Sequence, residues 1–223
     1  MGDQNLAAAE SGLQRRRQAA RIAEGEDYDI RRREVIRAAA MVFQKKGYRA
    51  TTLKDVAAAL GIDRVTLYRY IHGKEELLRE AVTECVVEIS REIARISLGD
   101  TPAPSKIRMI VEQVMRSYET HYPQPYVFMD QMLDATWAED SDWARQLVGM
   151  VREIQALVGG VVEQGIRDGD FRADVPGELA VNALLGMLNW TSRWYQPGRR
   201  HSSDEVARSF ASVLLDGLSQ KRS

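Results

Sequence analysis

Apolar side chains recur at the 3.6-residue spacing of an α-helix along most of the chain, and this periodicity limits the possible folds more than any other feature. Leu53, Val56, Ala57 and Leu60, for example, stand at positions i, i+3, i+4 and i+7. The segment 63–71 has some β-branched and alternating character, but an N-capping aspartate and a single apolar face favour a short helix there. Strand patterns are otherwise nearly absent, so the sequence predicts an all-α fold of nine helices.

Several classes of protein are excluded by what the 223 residues lack. No apolar run approaches the roughly 18 residues of a membrane span, and the N-terminus has no apolar signal core. Cys85 is the single cysteine and the three histidines are far apart in sequence, so neither a disulfide nor a zinc site is expected. These features predict a cytoplasmic protein with no membrane partner, no metal and no cofactor.

Charge is distributed unevenly and divides the chain into three parts. Residues 1–28 have a net charge of −1 and no durable apolar stripe, which predicts a flexible tail. Residues 29–75 contain eleven basic and five acidic side chains, a net charge of +6, whereas residues 76–223 have a net charge of −6. A basic block on an acidic body indicates a surface for a polyanion, with a merely solvated charged face as the alternative. We expect the body to begin with a connecting helix over 74–97.

Two short helices separated by a glycine turn lie inside the basic block. The first begins with Thr52-Leu53-Lys54-Asp55, the pattern of a capping box, and ends at Gly61. The second follows Asp63, a residue suited to an N-cap. This arrangement is typical of a helix-turn-helix, whose second helix enters the major groove of DNA.

Three segments of this region resemble the DNA-binding domain of the TetR (tetracycline-repressor) family: GYRATTLKDVA at 47–57, GIDRVTLYRY at 61–70 and KEELL at 74–78. The resemblance implies a TetR-like fold, with an N-terminal three-helix domain and a larger helical body. It also implies a homodimeric transcriptional regulator, usually a repressor, that binds a palindromic operator in double-stranded DNA and is released by a small-molecule ligand. Asp63 and Gly73 depart from the family pattern, in which hydroxyl residues are common at both positions.

The second short helix carries the side chains expected to read DNA. Arg64 suits guanine, because its fork of N–H groups matches two acceptors of that base, and Val65 and Thr66 offer methyl groups to thymine. Tyrosine hydroxyls and helix N-termini suit phosphates, although Tyr68 has an alternative interpretation as a core residue. The predicted DNA-binding residues are Thr52, Arg64, Val65, Thr66, Tyr68, Arg69, Tyr70 and Lys74.

Aromatic and methionine side chains concentrate in the second half of the chain, which holds all four tryptophans. Such side chains fill cores more often than they line pockets, yet an apolar cavity with a few polar groups is the usual ligand site. The predicted ligand-binding residues are Tyr118, Tyr126, Met129, Met132, Trp137, Met150, Met187, Trp190, Arg193 and Trp194.

The segment NWTSRWYQPG at 189–198, with SSDEVA at 202–207, is similar to a TetR subgroup that responds to acyl-coenzyme A (acyl-CoA) thioesters. The similarity implies a bulky apolar acyl group inside the body and a CoA portion that reaches solvent past Arg193, Arg199 and Arg200. An alternative interpretation makes Arg199 and Arg200 ordinary loop charges.

The last two helices carry more apolar surface than a single chain easily covers, which predicts a homodimer formed through them. A repressor that senses multiple drugs or cationic dyes is the alternative function, followed by a ligand carrier that does not bind DNA. An enzyme is not expected, because the sequence shows no nucleophile–base pair, phosphate loop or metal-spaced cluster. The apolar positions of these two helices are Leu179, Ala183, Leu184, Leu188, Val206, Phe210, Val213, Leu214 and Leu218.

Overall fold

The computed structural model describes residues 25, 27–132 and 141–219. These residues form nine helices and no strand, which confirms the predicted all-α architecture. In chain order the helices are α1 (27–46), α2 (Leu53–Leu60), α3 (Arg64–Leu67), α4 (Lys74–Ser97), α5 (Ala103–Thr120), α6 (Gln124–Met132), α7 (Asp142–Arg167), α8 (Gly177–Thr191) and α9 (Ser203–Leu218). No helix in the described ranges is long and apolar enough to cross a membrane.

Capping side chains and glycines set several helix ends, and those at Thr52, Gly61 and Asp63 are the ones that the sequence predicts. Thr52 and Asp55 form a complete capping box at the start of α2, and a second box opens α9. Gly47 and Gly61 adopt φ angles of 81° and 67°, a left-handed conformation that side chains with a Cβ rarely take. Asp63 caps α3 by accepting a hydrogen bond from the amide of Thr66 at 2.7 Å. Only four residues of the predicted 63–71 helix are α-helical, and turns continue the chain to residue 70.

Two apolar cores meet along α4. The first joins α1, α2 and α3 to the first half of α4, with contributions from α6 and the start of α7. The second joins the end of α4 to α5, α7, α8 and α9. Helix α4 contributes buried side chains to both cores and so connects the basic N-terminal region to the body.

The first helix begins earlier than the predicted tail boundary at residue 28. Residues 27 and 28 are helical, and the hydroxyl of Tyr28 donates to the carbonyl of Arg69 at 3.2 Å. The Tyr28 ring also packs against Tyr70, with centroids 5.3 Å apart. These tertiary contacts hold a segment in which the sequence shows no apolar periodicity, and they join residues 27 and 28 to the N-terminal helical region.

The loop between α7 and α8 is held against the C-terminus of the chain. Phe171 is buried and packs on Gly165, and the Arg172 amide donates to the carbonyl of Leu218 at 2.8 Å. The long helix α7 therefore needs a residue without a side chain where the ring crosses it.

Candidate DNA-binding surface and ligand cavity

Helix α3 presents one face to solvent and anchors itself with the other. Leu67 is fully buried against the first core, whereas Val65 is 78% exposed and Tyr68 is 39% exposed. Tyr68 is thus not a core residue. The predicted reading residues Arg64, Val65, Tyr68 and Arg69 are exposed, while Thr66 and Tyr70 are half-buried.

Basic side chains of the N-terminal region differ in how they are neutralised. Arg32 lies 2.9 Å from Glu80 and 3.4 Å from Glu76, and Lys46 lies 2.8 Å from Asp55. Arg64 forms no ion pair with any described carboxylate, and its guanidinium instead contacts the hydroxyl of Tyr68. The charge of Arg64 is therefore available to an external polyanion.

The start of α2 is organised by Thr52 and Asp55. The amide and hydroxyl of Thr52 both donate to Asp55 Oδ2 at 2.7 Å. The nearby Lys46 ammonium and these Thr52 bonds hold the pKa of Asp55 well below its usual range. Because the Thr52 amide is taken by Asp55, any phosphate at this helix end would use the amides of Leu53 and Lys54, which have no intrahelical acceptor.

Lys74 lies at the first position of α4 and bridges it to the turn after α1. Its ammonium donates to the carbonyl of Tyr48 at 3.0 Å and to that of Arg49 at 3.3 Å. The same ammonium lies 4.5 Å from the centre of the Tyr48 ring, a cation–π distance. Lys74, predicted as a phosphate contact, thus also holds the turn between α1 and α2 to α4.

An apolar cavity lies between α4, α5, α6, α7 and α8. Its empty volume is about 730 Å³, including solvent at its mouth. Burial raises the pKa of the Cys85 thiol on its wall to about 12, so this sulfur is a neutral apolar surface. None of the described lining residues is charged. They are Cys85, Val86, Ile89, Ile93, Val114, Ser117, Tyr118, Pro125, Phe128, Met129, Val151, Ile154, Gln155, Leu185, Leu188 and Asn189.

Of the predicted ligand residues, Tyr118 and Met129 line this cavity, and Tyr126 lines a smaller pocket beside it. Met132 and Met150 pack at the edge of the first core, and Met187 packs on the second. Arg193 lies near the surface, 3.8 Å from Asp130 and 5.7 Å from the Tyr126 ring centre. Trp137 lies outside the described residues.

Trp190 and Trp194 do not line the cavity of the single chain. Their exposed fractions are 67% and 45%. Both were predicted as ligand-binding residues from the density of aromatic side chains, and composition alone does not distinguish the inward side of a helix from the outward one.

Sequence reasoning missed most of the aliphatic and polar lining of the cavity. Cys85, Ile89 and Ile93 stand four residues apart on α4 and so share a face, a signal that was interpreted only as helix packing. Gln155 and Asn189 supply polar groups at the wall. Asn189 begins the 189–198 segment whose similarity pointed to a ligand site, whereas the sequence carried no such signal for Gln155.

Side-chain hydrogen bonds join the part of the body beyond α4 to α1 and to the start of α4. Gln44 of α1 donates to the hydroxyl of Tyr122 at 2.7 Å, and Trp143 of α7 donates to Glu75 of α4 at 3.0 Å. Tyr122 also lines the small pocket beside the cavity, so its hydrogen bond with Gln44 connects α1 to the wall of that pocket.

The outer face of α8 is an exposed stripe of apolar and small residues. Leu179, Ala183, Gly186 and Trp190 recur at helical spacing, and all four are exposed. Val213 of the neighbouring α9 is 64% exposed. The other apolar positions predicted for the dimer face lie elsewhere: Leu184, Leu188, Val206, Leu214 and Leu218 are buried within the chain, and Phe210 is half-buried.

Two family models match the chain. The model for bacterial regulatory proteins of the tetR family covers residues 35–81, and that for the tetracyclin repressor-like C-terminal domain covers residues 100–218. The chain belongs to the TetR family. TetR regulators bind DNA operators and small-molecule effectors and function as dimers, and the matches are to regulators rather than enzymes.

Individual TetR relatives match most of the chain. The HTH-type transcriptional repressor KstR2 of Rhodococcus jostii is 29% identical over 188 residues, which is 84% of this chain and 91% of the relative. The solved structure of the ketosteroid transcriptional regulator KstR2 of Mycobacterium tuberculosis matches with a TM-score of 0.80 at 23% identity, covering 86% of this chain and 96% of that one. AibR in complex with isovaleryl coenzyme A and operator DNA matches with a TM-score of 0.68 at 18% identity, over 83% and 98%. The two structural matches, at 23% and 18% identity, show similarity of fold.

Proposed function

We propose that this chain is a cytoplasmic homodimeric repressor that binds a palindromic operator through α3 and releases it when an acyl-CoA thioester occupies the cavity. The uncharged lining of the cavity is the observation that supports an acyl-CoA thioester as the ligand. Burying an apolar acyl chain in such a cavity costs little free energy. A cationic dye buried there would lack a carboxylate partner. Relatives named as repressors and a structural neighbour bound to an acyl-CoA support the same proposal.

The coenzyme portion is proposed to stay near the surface. Arg193 lies at the α8 end of the cavity region, where its guanidinium can pair with phosphate in place of the 3.8 Å contact with Asp130. Arg199 and Arg200 are exposed on the following loop and can add charge. This division places the apolar group inside and the phosphates outside.

Release is proposed to act through α4. Cys85, Ile89 and Ile93 of this helix line the cavity, and its first residue, Lys74, is bonded to the turn that leads into the helix-turn-helix. Two recognition helices of a dimer must lie about 34 Å apart to enter successive major grooves, so a ligand that moves α4 alters operator affinity. Linkage requires DNA to weaken ligand binding by the same factor.

A thermal-shift panel tests the ligand class. It contains acyl-CoA thioesters, the matching free acids, CoA alone and cationic dyes. A thioester at 100 times its Kd adds about 2.7 kcal/mol, which at this chain length raises the Tm by roughly 5–10 °C. The same thioester should also release operator DNA in a mobility-shift assay.

A filled-cavity variant provides the control. Ile154→Trp places an indole in the cavity and should abolish the shift, whereas Leu98→Trp adds the same bulk at a position that is 76% exposed and should leave it intact. Stabilisation by dyes alone would replace the acyl-CoA proposal with the drug-sensing alternative. Thioester binding without any salt-dependent DNA binding would instead identify a ligand carrier.

A further inference from the structure

Arg64 and Tyr68 form a pair on the exposed face of α3, one helical turn apart. Arg64 Nε donates to the Tyr68 hydroxyl at 3.2 Å, and Arg64 Nη2 donates to the same oxygen at 2.7 Å. The guanidinium carbon lies 5.3 Å from the centre of the Tyr68 ring. No described carboxylate pairs with Arg64, and among the described residues its side chain donates hydrogen bonds to the Tyr68 hydroxyl.

The pair uses one particular edge of the guanidinium. Arginine has five N–H donors in a planar fork, and Tyr68 takes one from Nε and one from Nη2. Three donors stay free, two on Nη1 and one on Nη2. These two nitrogens form the end-on edge, whose parallel N–H groups match the O6 and N7 acceptors of guanine in the major groove.

We propose that Tyr68 is the positioning residue for base recognition: it holds Arg64 so that the Nη1–Nη2 edge reads one guanine in each operator half-site. The inference rests on the proposed DNA-binding function and adds the base that is read and the residue that orients its reader. Because the Tyr68 oxygen accepts both bonds, its own proton stays available to a phosphate. A phosphate contact and the positioning role are therefore compatible, and only the latter affects sequence preference.

The experiment begins with selection of duplexes from a random pool by the full-length protein. A guanine in the selected half-site that depends on Arg64 is then replaced by 7-deazaguanine, which lacks the N7 acceptor. For the unaltered protein this replacement should weaken binding about 5- to 150-fold. In Tyr68→Phe, which keeps the ring and removes the hydroxyl, that penalty should shrink about 2- to 10-fold.

Three comparisons make the result decisive. In Arg64→Ala, the 7-deazaguanine replacement should no longer weaken binding, whether or not the Tyr68 hydroxyl is present, because the side chain that reads guanine is absent. Tyr70→Phe removes the equivalent atom two residues away and should change affinity for both duplexes by the same factor. Circular dichroism confirms that each variant is folded.

Equal weakening of both duplexes by Tyr68→Phe would reduce Tyr68 to a phosphate contact and overturn the positioning role. An Arg64→Ala protein that selects the same bases as the unaltered protein would overturn the guanine assignment. Failure of the unaltered protein to enrich any sequence would remove the DNA-binding proposal itself, and the inference with it.

Discussion

Lys74 shows how one side chain can serve both the fold and the proposed DNA contact. Its ammonium donates to two carbonyls of the turn after α1 and lies over the Tyr48 ring, while its position at the start of α4 suits a phosphate. We expect Lys74→Ala to lower the free energy of unfolding by about 1–2 kcal/mol and to weaken binding to all DNA sequences alike. Urea unfolding and binding to several duplexes measure the two effects.

Arg79→Ala is the matched control for stability, because it removes an exposed cation from the same helix. Its unfolding curve should stay close to that of the unaltered protein. A changed base preference in Lys74→Ala would contradict the phosphate role.

The sequence predicts individual residues well where one force decides their position. Arg64 and Val65 had to be exposed, because the short α3 has one apolar side and Leu67 occupies it. The bond between Arg64 and Tyr68 was not predicted, since an i, i+4 spacing permits contact without specifying which rotamers meet. Tyr28 was placed in the tail because its packing depends on Tyr70, more than forty residues away.

Among the elements, α7 contains a matched pair of glycines with opposite expected effects. A Cβ at Gly165 would meet the Phe171 ring, with the ring Cγ only 2.9 Å away, whereas a Cβ at Gly149 would meet nothing within 4 Å. Gly165→Ala should therefore cost about 1–3 kcal/mol through overpacking. Gly149→Ala should stabilise by about 0.5–1 kcal/mol, because alanine loses less entropy in a helix. Chemical unfolding of the two variants in parallel measures both, and stabilisation of both would show that Phe171 moves freely.

The Asp63 N-cap makes the stability of the helix-turn-helix depend on pH. The bond from the Thr66 amide holds the pKa of Asp63 below its usual range, so this carboxylate stabilises α3 above its unfolded pKa of about 3.9. The contribution is lost as the pH falls through the lower folded pKa. We expect Asp63→Asn, which keeps an acceptor but does not titrate, to lose stability less steeply between about pH 5 and pH 2. Urea midpoints across that range provide the measurement, and parallel curves would contradict the role of the charge.

Element boundaries followed the sequence where capping chemistry was local. The boxes at Thr52 and Ser202 and the glycines at 47 and 61 involve contacts within a few residues, so they can be recognised without tertiary information. Helix α8 ends at Thr191, because the chain turns there to bring Tyr195 into the second core. That ending depends on packing against distant helices.

On the scale of the whole molecule, the cavity was harder to predict than the fold. Its walls come from five helices, and aliphatic residues such as Ile89 and Leu185 resemble ordinary core positions in the sequence. Aromatic density pointed instead to Trp190 and Trp194, which are exposed. Helical periodicity identifies which face of a helix is apolar. It does not reveal where two apolar faces leave a gap between them and so form a cavity.

Trp190 belongs to the exposed stripe of α8 through which we propose that the chain dimerises. Leu179 is 59% exposed on α8 and Val213 is 64% exposed on α9, so both offer apolar surface that a second copy would remove from water. A carboxylate at Leu179 would have to be buried without a partner in such an interface. We expect Leu179→Asp to be monomeric at micromolar concentration in analytical ultracentrifugation. Its operator affinity should fall about 100-fold or more, because two half-sites can no longer be bound by one assembly.

Leu98→Asp introduces the same charge at a leucine that is 76% exposed at the end of α4, away from the stripe. It should stay dimeric and bind the operator normally, which separates an interface effect from a general effect of added charge. Thermal unfolding of both variants checks that the chain is intact. If Leu179→Asp sedimented as a dimer with full operator affinity, the interface would lie on another face, and the exposure of Leu179 and Trp190 would need a different partner.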